Sequence, residues 1–302
     1  MNICIIGAGN IGTYLAAYIS MKHENKVWLH TSKPEAFNDT IALIEEEKNI
    51  THHITLHCIT SSYEEAVSNA DYILITYPSF MMEKTIESIL PYLKKGAVVG
   101  AIPGFGGKEY LIDKLLDKGC IFFGTQRVPS IIRLEKYGES VLLKQKNPFM
   151  KIRVIPGEYS EKVAKDMSNF IDIPCIPLNS YLAITLSPSN PTMHPSRLYE
   201  LFHDYVEGEH IYERNPYFYE EWGTLASTEL LKLDEELEAI FNAFNENGDF
   251  DPRDIEKIKS RYNINTAEEL SEKINTAPGF IGIDSPMVKI DGGYIPDKSS
   301  RY

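Results

Sequence analysis

The chain has 302 residues, 43% of them apolar, and a net charge of −13 with its histidines neutral. That is enough chain to bury one large core or two ordinary ones. It is also too acidic on average to suit a nucleic acid or an anionic membrane surface, and no block of Lys and Arg makes a local exception. Cys4, Cys58, Cys120 and Cys175 stand far apart with no Cys-x-x-Cys pair, which points to reduced thiols and away from a disulfide frame or a zinc site. The opening MNICIIGAGN lacks a basic n-region and a small-residue cleavage site, and no run approaches the roughly 20 apolar residues of a membrane span. The expectation is a soluble cytoplasmic protein with no nucleic-acid or membrane partner, and a homodimer as its commonest oligomer.

Short β-branched runs alternate with helical patterns over the first part of the chain, the order of a parallel sheet covered by helices. Strands are predicted at 2–7, 26–30, 54–59, 72–78, 97–103 and 120–124, with helices at 10–22, 35–48, 62–69, 79–94 and 107–118 between them. After Gly124 the texture changes. VPSIIRLEKYGESVLLKQK and FMKIRVIPG read as antiparallel strands around a Tyr-Gly turn, extending the sheet at one edge. A helix at 159–170 and a strand at 175–179 close this region. From residue 181 the pattern is helical, in HPSRLYELFHDYVE and in the long PYFYEEWGTLASTELLKLDEELEAIFNAFNENG, followed by two short surface helices and a Gly/Pro-rich tail with no obvious final element. The expected fold class is α/β: an N-terminal Rossmann-type dinucleotide-binding domain over 1–180 with extra edge strands, then an all-α substrate or catalytic domain over 181–302.

ICIIGAGNIG sets Gly7-x-Gly9-x-x-Gly12 between a strand and a helix, with Ala8, Asn10 and Ile11 completing the loop. Gly7 permits the tight turn, Gly9 lets the backbone approach a pyrophosphate, and Gly12 lets helix and strand pack closely, with the helix N-terminus facing the phosphates. A carboxylate at the end of the second strand would bond a ribose 2′-hydroxyl and repel a 2′-phosphate. Here the sequence is LHTSKP, so Thr31, Ser32 and Lys33 favour NADP over NAD, with Glu35 too late to change this unless the loop is long. Thr76, Pro78, Pro103 and Gly104 end strands four and five, along which an extended dinucleotide lies; ordinary strand-ending turns are the alternative.

A Rossmann domain supplies the hydride carrier, and a second domain usually supplies the acid–base group. No lysine lies between Lys165 and Lys232, which leaves His194, set between Pro191 and Pro195 with Asn190 four positions ahead. The prolines restrict the backbone on both sides, and Pro195 suits a first helical turn. The plain alternative is a structural histidine at a helix start. His52, His53 and His57 read as structural, and His203 and His210 lack metal-ligand spacing, so no metal is expected. Gln126 and Arg127 follow the sixth strand, where they and Arg133 are candidate substrate ligands or ordinary strand residues; the run LDEELE reads as a solvated helix face.

Taken together, these segments resemble the opine dehydrogenases, the octopine/nopaline dehydrogenase group. The resemblance is carried by GAGNIG followed by AAY, by ILITYPS, by NPTMHP against Asn-Pro-x-x-His-Pro, by LLKLDEELEAIFNAF against a helix carrying an Asp-x-Glu pair, and by GFIGIDSP before SRY. It implies NAD(P)H-dependent reductive condensation of an α-keto acid, such as pyruvate, with the amino group of an amino acid. It also implies that His194 exchanges protons with the reacting groups, that Asn190 lies with the substrate, and that Arg301 is on the keto-acid side. In the family an aspartate just beyond SRY orients the histidine; this chain stops at Tyr302, so the expectation is a shortened C-terminus, or Asp204 or Asp297 in that place. Two other readings use the same residues: reduction of a 2-keto acid to a 2-hydroxy acid in the manner of 6-phosphogluconate or ketopantoate-reductase-like enzymes, and dinucleotide binding without catalysis.

Overall fold

The structure, a computed structural model, describes residues 1–245, 251 and 254–300. It divides into two compact units, Met1–Thr185 and Leu186–Tyr302. Among the described residues, no helix is long and apolar enough to cross a membrane.

The first unit holds, in chain order, β1 (Asn2–Ile6), α1 (Asn10–Ser20), β2 (Lys26–His30), β3 (Thr40–Glu45), β4 (Ile50–Thr55), β5 (Cys58–Thr60), α2 (Tyr63–Val67), β6 (Tyr72–Ile75), α3 (Met82–Ile89), β7 (Val98–Ala101), α4 (Asp113–Asp117) and β8 (Ile121–Thr125). It continues with β9 (Ser130–Lys136), β10 (Ser140–Lys146), β11 (Met150–Ile155), α5 (Ser160–Ile171), β12 (Cys175–Pro177) and α6 (Leu182–Thr185). Eight strands form the main sheet in the order β12-β11-β8-β7-β6-β1-β2-β5. All its pairings are parallel except that of β11 with β8. Its central strands are apolar at consecutive positions because both faces are covered. Ile3 and Ile5 of β1 enter one core with α1 and α5, while Cys4 and Ile6 enter another with residues of α2 and α3.

Beside it stands a second sheet, ordered β4-β3-β10-β9. Here the structure corrects two expectations. Residues 35–48, read as a helix, carry only a three-residue 3-10 turn at Pro34–Ala36 and then the strand β3. TIALIE alternates in burial residue by residue, with Ile41, Leu43 and Glu45 inside, and that period of two belongs to a strand. The hairpin turning at Tyr137-Gly138 pairs with β3 instead of widening the main sheet; only β11 and β12 do that. Strand 54–59 is likewise split, its first part in β4 and its last in β5. Helix α1 packs against β2 of the main sheet and β3, β9 and β10 of the second, so every residue from Gly12 to Ile19 is buried.

The second unit is helical, with α7 (Asn190–Phe202), α8 (Thr224–Phe244), α9 (Ile258–Tyr262) and α10 (Ala267–Asn275), and its tail closes in a hairpin of β13 (Met287–Ile290) and β14 (Gly293–Pro296). Its core gathers Met193, Phe218, Tyr219, Trp222, Ala226, Leu230, Leu270 and Ile274. The helical pattern starting at Pro216 becomes helix only from Thr224. Arg197, buried in α7, explains the delay: its Nε donates to Phe218 O at 2.8 Å and its Nη2 to Tyr217 O at 3.1 Å, so these carbonyls are taken by a side chain. Asp234, within the acidic run of α8, is not simply solvated. It accepts from Ile258 N at 3.0 Å at the start of α9, and burial raises its carboxyl above the ordinary carboxylate range.

Candidate functional site

The glycine loop follows from backbone requirements. Gly7 sits at φ +104°, a conformation side chains rarely adopt, and its N–H donates to His30 O at 3.0 Å. A Cβ on Gly12 would stand 1.8 Å from Gly7 O, so β1 and α1 approach as closely as they do only because this residue has none. A Cβ on Gly9 would meet nothing within 4 Å. The loop thus leaves open space beside Gly9 at the N-terminus of α1, where unpaired backbone N–H groups suit an anion. Thr13 Oγ1 donates to Ala8 O at 3.1 Å and Thr76 Oγ1 to Ile6 O at 3.1 Å, which stiffens the loop from both ends. Ile11 packs on the core, and Asn10 Oδ1 accepts from Leu134 N at 2.7 Å, so that side chain ties the loop to β9.

At the end of β2 the structure places Ser32 and Lys33 exposed and Thr31 buried. Thr31 Oγ1 is 3.1 Å from Tyr137 Oη and accepts from Lys33 N at 3.2 Å, so its hydroxyl shapes the loop. His30 is stacked on Tyr63 at 3.9 Å with Nε2 3.2 Å from Ser61 O, and burial lowers its ring pKa. Pro78 is exposed and Thr76 and Pro103 half-buried at the ends of β6 and β7. A residue that sequence reasoning missed joins them: Lys108, 2% exposed, donates from Nζ to Pro103 O at 2.7 Å, and burial pulls its pKa down to about 8. Only its place in GFGGKEY after a strand end could have drawn notice. Gln126 is buried and donates from Nε2 to Ala183 O at 3.0 Å, and Arg127 beside it is half-buried. The Gln126 amide is therefore engaged in joining β8 to α6.

In the second unit α7 opens at Asn190, which is exposed. The first-turn proline is Pro191, while Pro195 lies inside the helix, a correction to the expected boundary. His194 is half-buried in this stretch, with Nε2 2.9 Å from Tyr219 Oη and its ring edge-on to Phe218 at 5.6 Å. Burial lowers the ring pKa from 6.5 to about 4, which leaves it neutral at physiological pH. Tyr219, another residue the sequence did not single out, is stacked on Phe280 at 4.1 Å and parallel to Trp222. Of the carboxylates considered as partners for His194, Asp297 accepts from Ser299 N at 2.9 Å and Asp204 is exposed. The Nε2 partner is the Tyr219 hydroxyl. Arg301 lies outside the described residues.

A Rossmann unit with a glycine turn and open space at a helix N-terminus, followed by a helical unit carrying a neutral, half-buried histidine, is the arrangement of a two-domain protein built on a dinucleotide-binding fold. Comparison with known proteins sharpens this. Residues 177–302 match the alpha-helical domain of the NAD/NADP octopine/nopaline dehydrogenases, and residues 3–139 match the ketopantoate reductase PanE/ApbA family. The tauropine dehydrogenase of Arabella iricolor is 26% identical over 261 residues, an alignment covering 81% of this chain and 65% of that relative. The chain thus spans just under two thirds of the length of that relative. Octopine dehydrogenase solved with NADH and L-arginine superposes with a TM-score of 0.84 at 21% identity, covering 100% of this chain and 80% of that one. Yersinopine dehydrogenase with NADP+ bound gives 0.68 at 14% identity, covering 94% and 78%. At these identities the two structures speak for the fold. The chain is thus similar to the opine dehydrogenases in its helical unit and along most of its length, and shares their fold.

Proposed function

We propose that this protein is an NAD(P)H-dependent oxidoreductase that condenses an α-keto acid with the amino group of an amino acid and reduces the resulting imine to a secondary amine dicarboxylate. The observation that carries this reading is His194, a neutral, half-buried imidazole fixed at the start of α7 in the Asn-Pro-x-x-His-Pro setting of the opine dehydrogenases that the chain resembles. A ring of this kind moves protons on and off the carbonyl oxygen and the amine nitrogen as water leaves and the imine forms.

The loop from Gly7 to Gly12 fits a dinucleotide, because the space beside Gly9 is open and the N–H groups of α1 face it. The dinucleotide, when bound, supplies the hydride. Ser32 and Lys33 are exposed at the end of β2 with no carboxylate among residues 30–34, which favours NADPH through its 2′-phosphate. Arg301 is assigned to the keto-acid carboxylate on the family resemblance, where a guanidinium would grip it as a fork. Arg127 is a second guanidinium for the same task and Asn190 a further candidate for the substrate, whereas the Gln126 amide is engaged with Ala183 O.

The test is oxidation of NADPH and of NADH with pyruvate plus each amino acid in turn, with pyruvate alone as the comparison. Turnover that requires the amino acid supports the condensation; an equal rate with pyruvate alone points to simple keto-acid reduction. His194→Ala should abolish turnover and change the NADPH Kd by less than about twofold. Undiminished turnover refutes the assignment.

A further inference from the structure

We propose that Tyr219 is the positioning residue for His194, its hydroxyl holding Nε2 in both protonation states of the ring. This rests on the reading of His194 as the proton-transfer group. The distance, 2.9 Å, is an ordinary hydrogen bond, and what distinguishes it is how firmly both ends are fixed. The Tyr219 ring, 6% exposed, is stacked on Phe280 at 4.1 Å with planes 14° apart, lies within 5° of parallel to Trp222 at 6.2 Å, and meets Phe218 edge-on at 4.8 Å. Trp222 is itself anchored, donating from its indole N–H to Ser227 Oγ at 3.0 Å and from its backbone N–H to Asn275 Oδ1 at 2.9 Å. The phenol therefore has little room to swing.

A second constraint fixes the two partners relative to each other. Arg197 lies three residues after His194 on the same helix, and its guanidinium donates to the carbonyls of Tyr217 and Phe218, the two residues before Tyr219. The helix bearing the imidazole and the segment bearing the hydroxyl are thus joined by a buried side chain beside the bond itself.

The chemistry of a hydroxyl differs from that of the carboxylate that usually accompanies a proton-transferring histidine. A carboxylate only accepts, so it favours the charged ring and raises its pKa. A phenol donates to a bare Nε2 or accepts from a protonated one by turning its O–H, and it carries no charge at neutral pH. Among the described residues, Arg197 pairs with Glu200, Glu221 with Arg214, and Glu229 of α8 with Lys232, while Glu220 accepts from Gly282 N.

Tyr219→Phe removes the hydroxyl and keeps the stacked ring. In the full chain it should lower kcat on the order of tenfold, leave KM for NADPH within about twofold, and move the acid limb of the kcat profile by roughly half a pH unit or more. Nitrogen-15 NMR of the imidazoles reads the same bond without catalysis: one dominant His194 tautomer in the wild type, and a mixture with a displaced titration midpoint in the variant. An unchanged tautomer and midpoint overturn the proposal. Where Tyr219→Phe does not fold, 3-fluorotyrosine at position 219 keeps ring and hydroxyl but strengthens the donor, and a His194 midpoint that stays put overturns it equally. If His194→Ala leaves turnover intact while the NMR change appears, the proton-transfer role fails and the positioning contact stands.

Discussion

Gly9 and Gly12 lie three residues apart in the same loop, and replacing each with alanine should produce opposite signatures. At Gly12 the new Cβ would stand 1.8 Å from Gly7 O and 2.8 Å from Gly7 C, both backbone atoms, and 2.9 Å from Thr76 Oγ1. Ordinary contact begins at 3.4 Å, so α1 and the end of β1 would have to part by more than an ångström. Helix α1 is packed between two sheets and cannot retreat freely. Overpacking of this kind costs about 1–3 kcal/mol. For a unit of this size each kcal/mol lowers Tm by roughly 2–4 °C, so Gly12→Ala should lose roughly 2–12 °C. At Gly9 the backbone is extended, φ −82° and ψ −166°, and the Cβ meets nothing. Alanine at a helix N-cap in place of glycine costs a few tenths to about 1 kcal/mol, so Tm should fall by no more than about 4 °C. The methyl does, however, occupy the space assigned to the pyrophosphate, and NADPH Kd should rise on the order of tenfold or more, about 1.4 kcal/mol. Thermal unfolding followed by circular dichroism gives the first quantity and fluorescence titration of NADPH the second. Wild-type NADPH affinity in folded Gly9→Ala would refute the placement of the phosphates, and an undiminished Tm in Gly12→Ala would refute the packing argument.

Two further outcomes follow from charged groups. Lys33→Glu, at an exposed position, should weaken NADPH on the order of tenfold and leave NADH within about twofold, since only the former carries a 2′-phosphate; equal loss for both cofactors removes Lys33 from that site. Arg197→Met strips two backbone carbonyls and Glu200 of a buried partner, and should destabilise the second unit by about 3–5 kcal/mol in urea denaturation, whereas a loss below about 1 kcal/mol would show that the guanidinium does not hold α7 to the 217–218 segment.

The parts of the site readable from sequence are those whose constraint is local. Gly7, Gly9 and Gly12 answer to one turn and one helix start, so spacing alone conveys them, and the absence of a carboxylate after β2 is read the same way. What escaped depends on partners far away in the chain. The run of β3 is short and bounded by residues common to helix and strand, so the sequence alone does not separate the two; it becomes a strand by pairing with β10, about a hundred residues later. Asn10 looks like a cofactor ligand until Leu134 N is seen to occupy its Oδ1. Tyr219 had only the aromatic crowding of PYFYEEW to signal it, and that pattern fits any small core. Its meaning comes from Arg197, which keeps residues 217 and 218 out of the helix and so brings the next side chain to His194.

The burial that keeps His194 neutral also makes it a liability in acid, and the sign of the effect can be worked out. In the unfolded chain the ring takes up a proton near pH 6.5; in the folded unit it does so only near 4. Between those values the unfolded state binds more protons, so stability rises with pH across the window and is lost as pH falls through it. With about 1.4 kcal/mol for each pH unit separating the two pKa values, and a discount for the water that reaches a half-buried ring, the loss should come to roughly 1–3 kcal/mol. Urea denaturation of the second unit at intervals from pH 7 to pH 4 measures the slope, and His194→Gln, which keeps a polar side chain without a titrating ring, should flatten it. An identical slope in the variant would mean that the ring is hydrated well enough to titrate as it does in water. A ring that resists protonation when the site is empty should accept a proton more readily once a substrate carboxylate lies beside it, because an opposite charge favours the imidazolium. Keto-acid binding should then be accompanied by proton uptake, seen as a dependence of the calorimetric heat on buffer ionisation enthalpy near pH 6, and His194→Gln should abolish that dependence if the ring is the group that takes the proton.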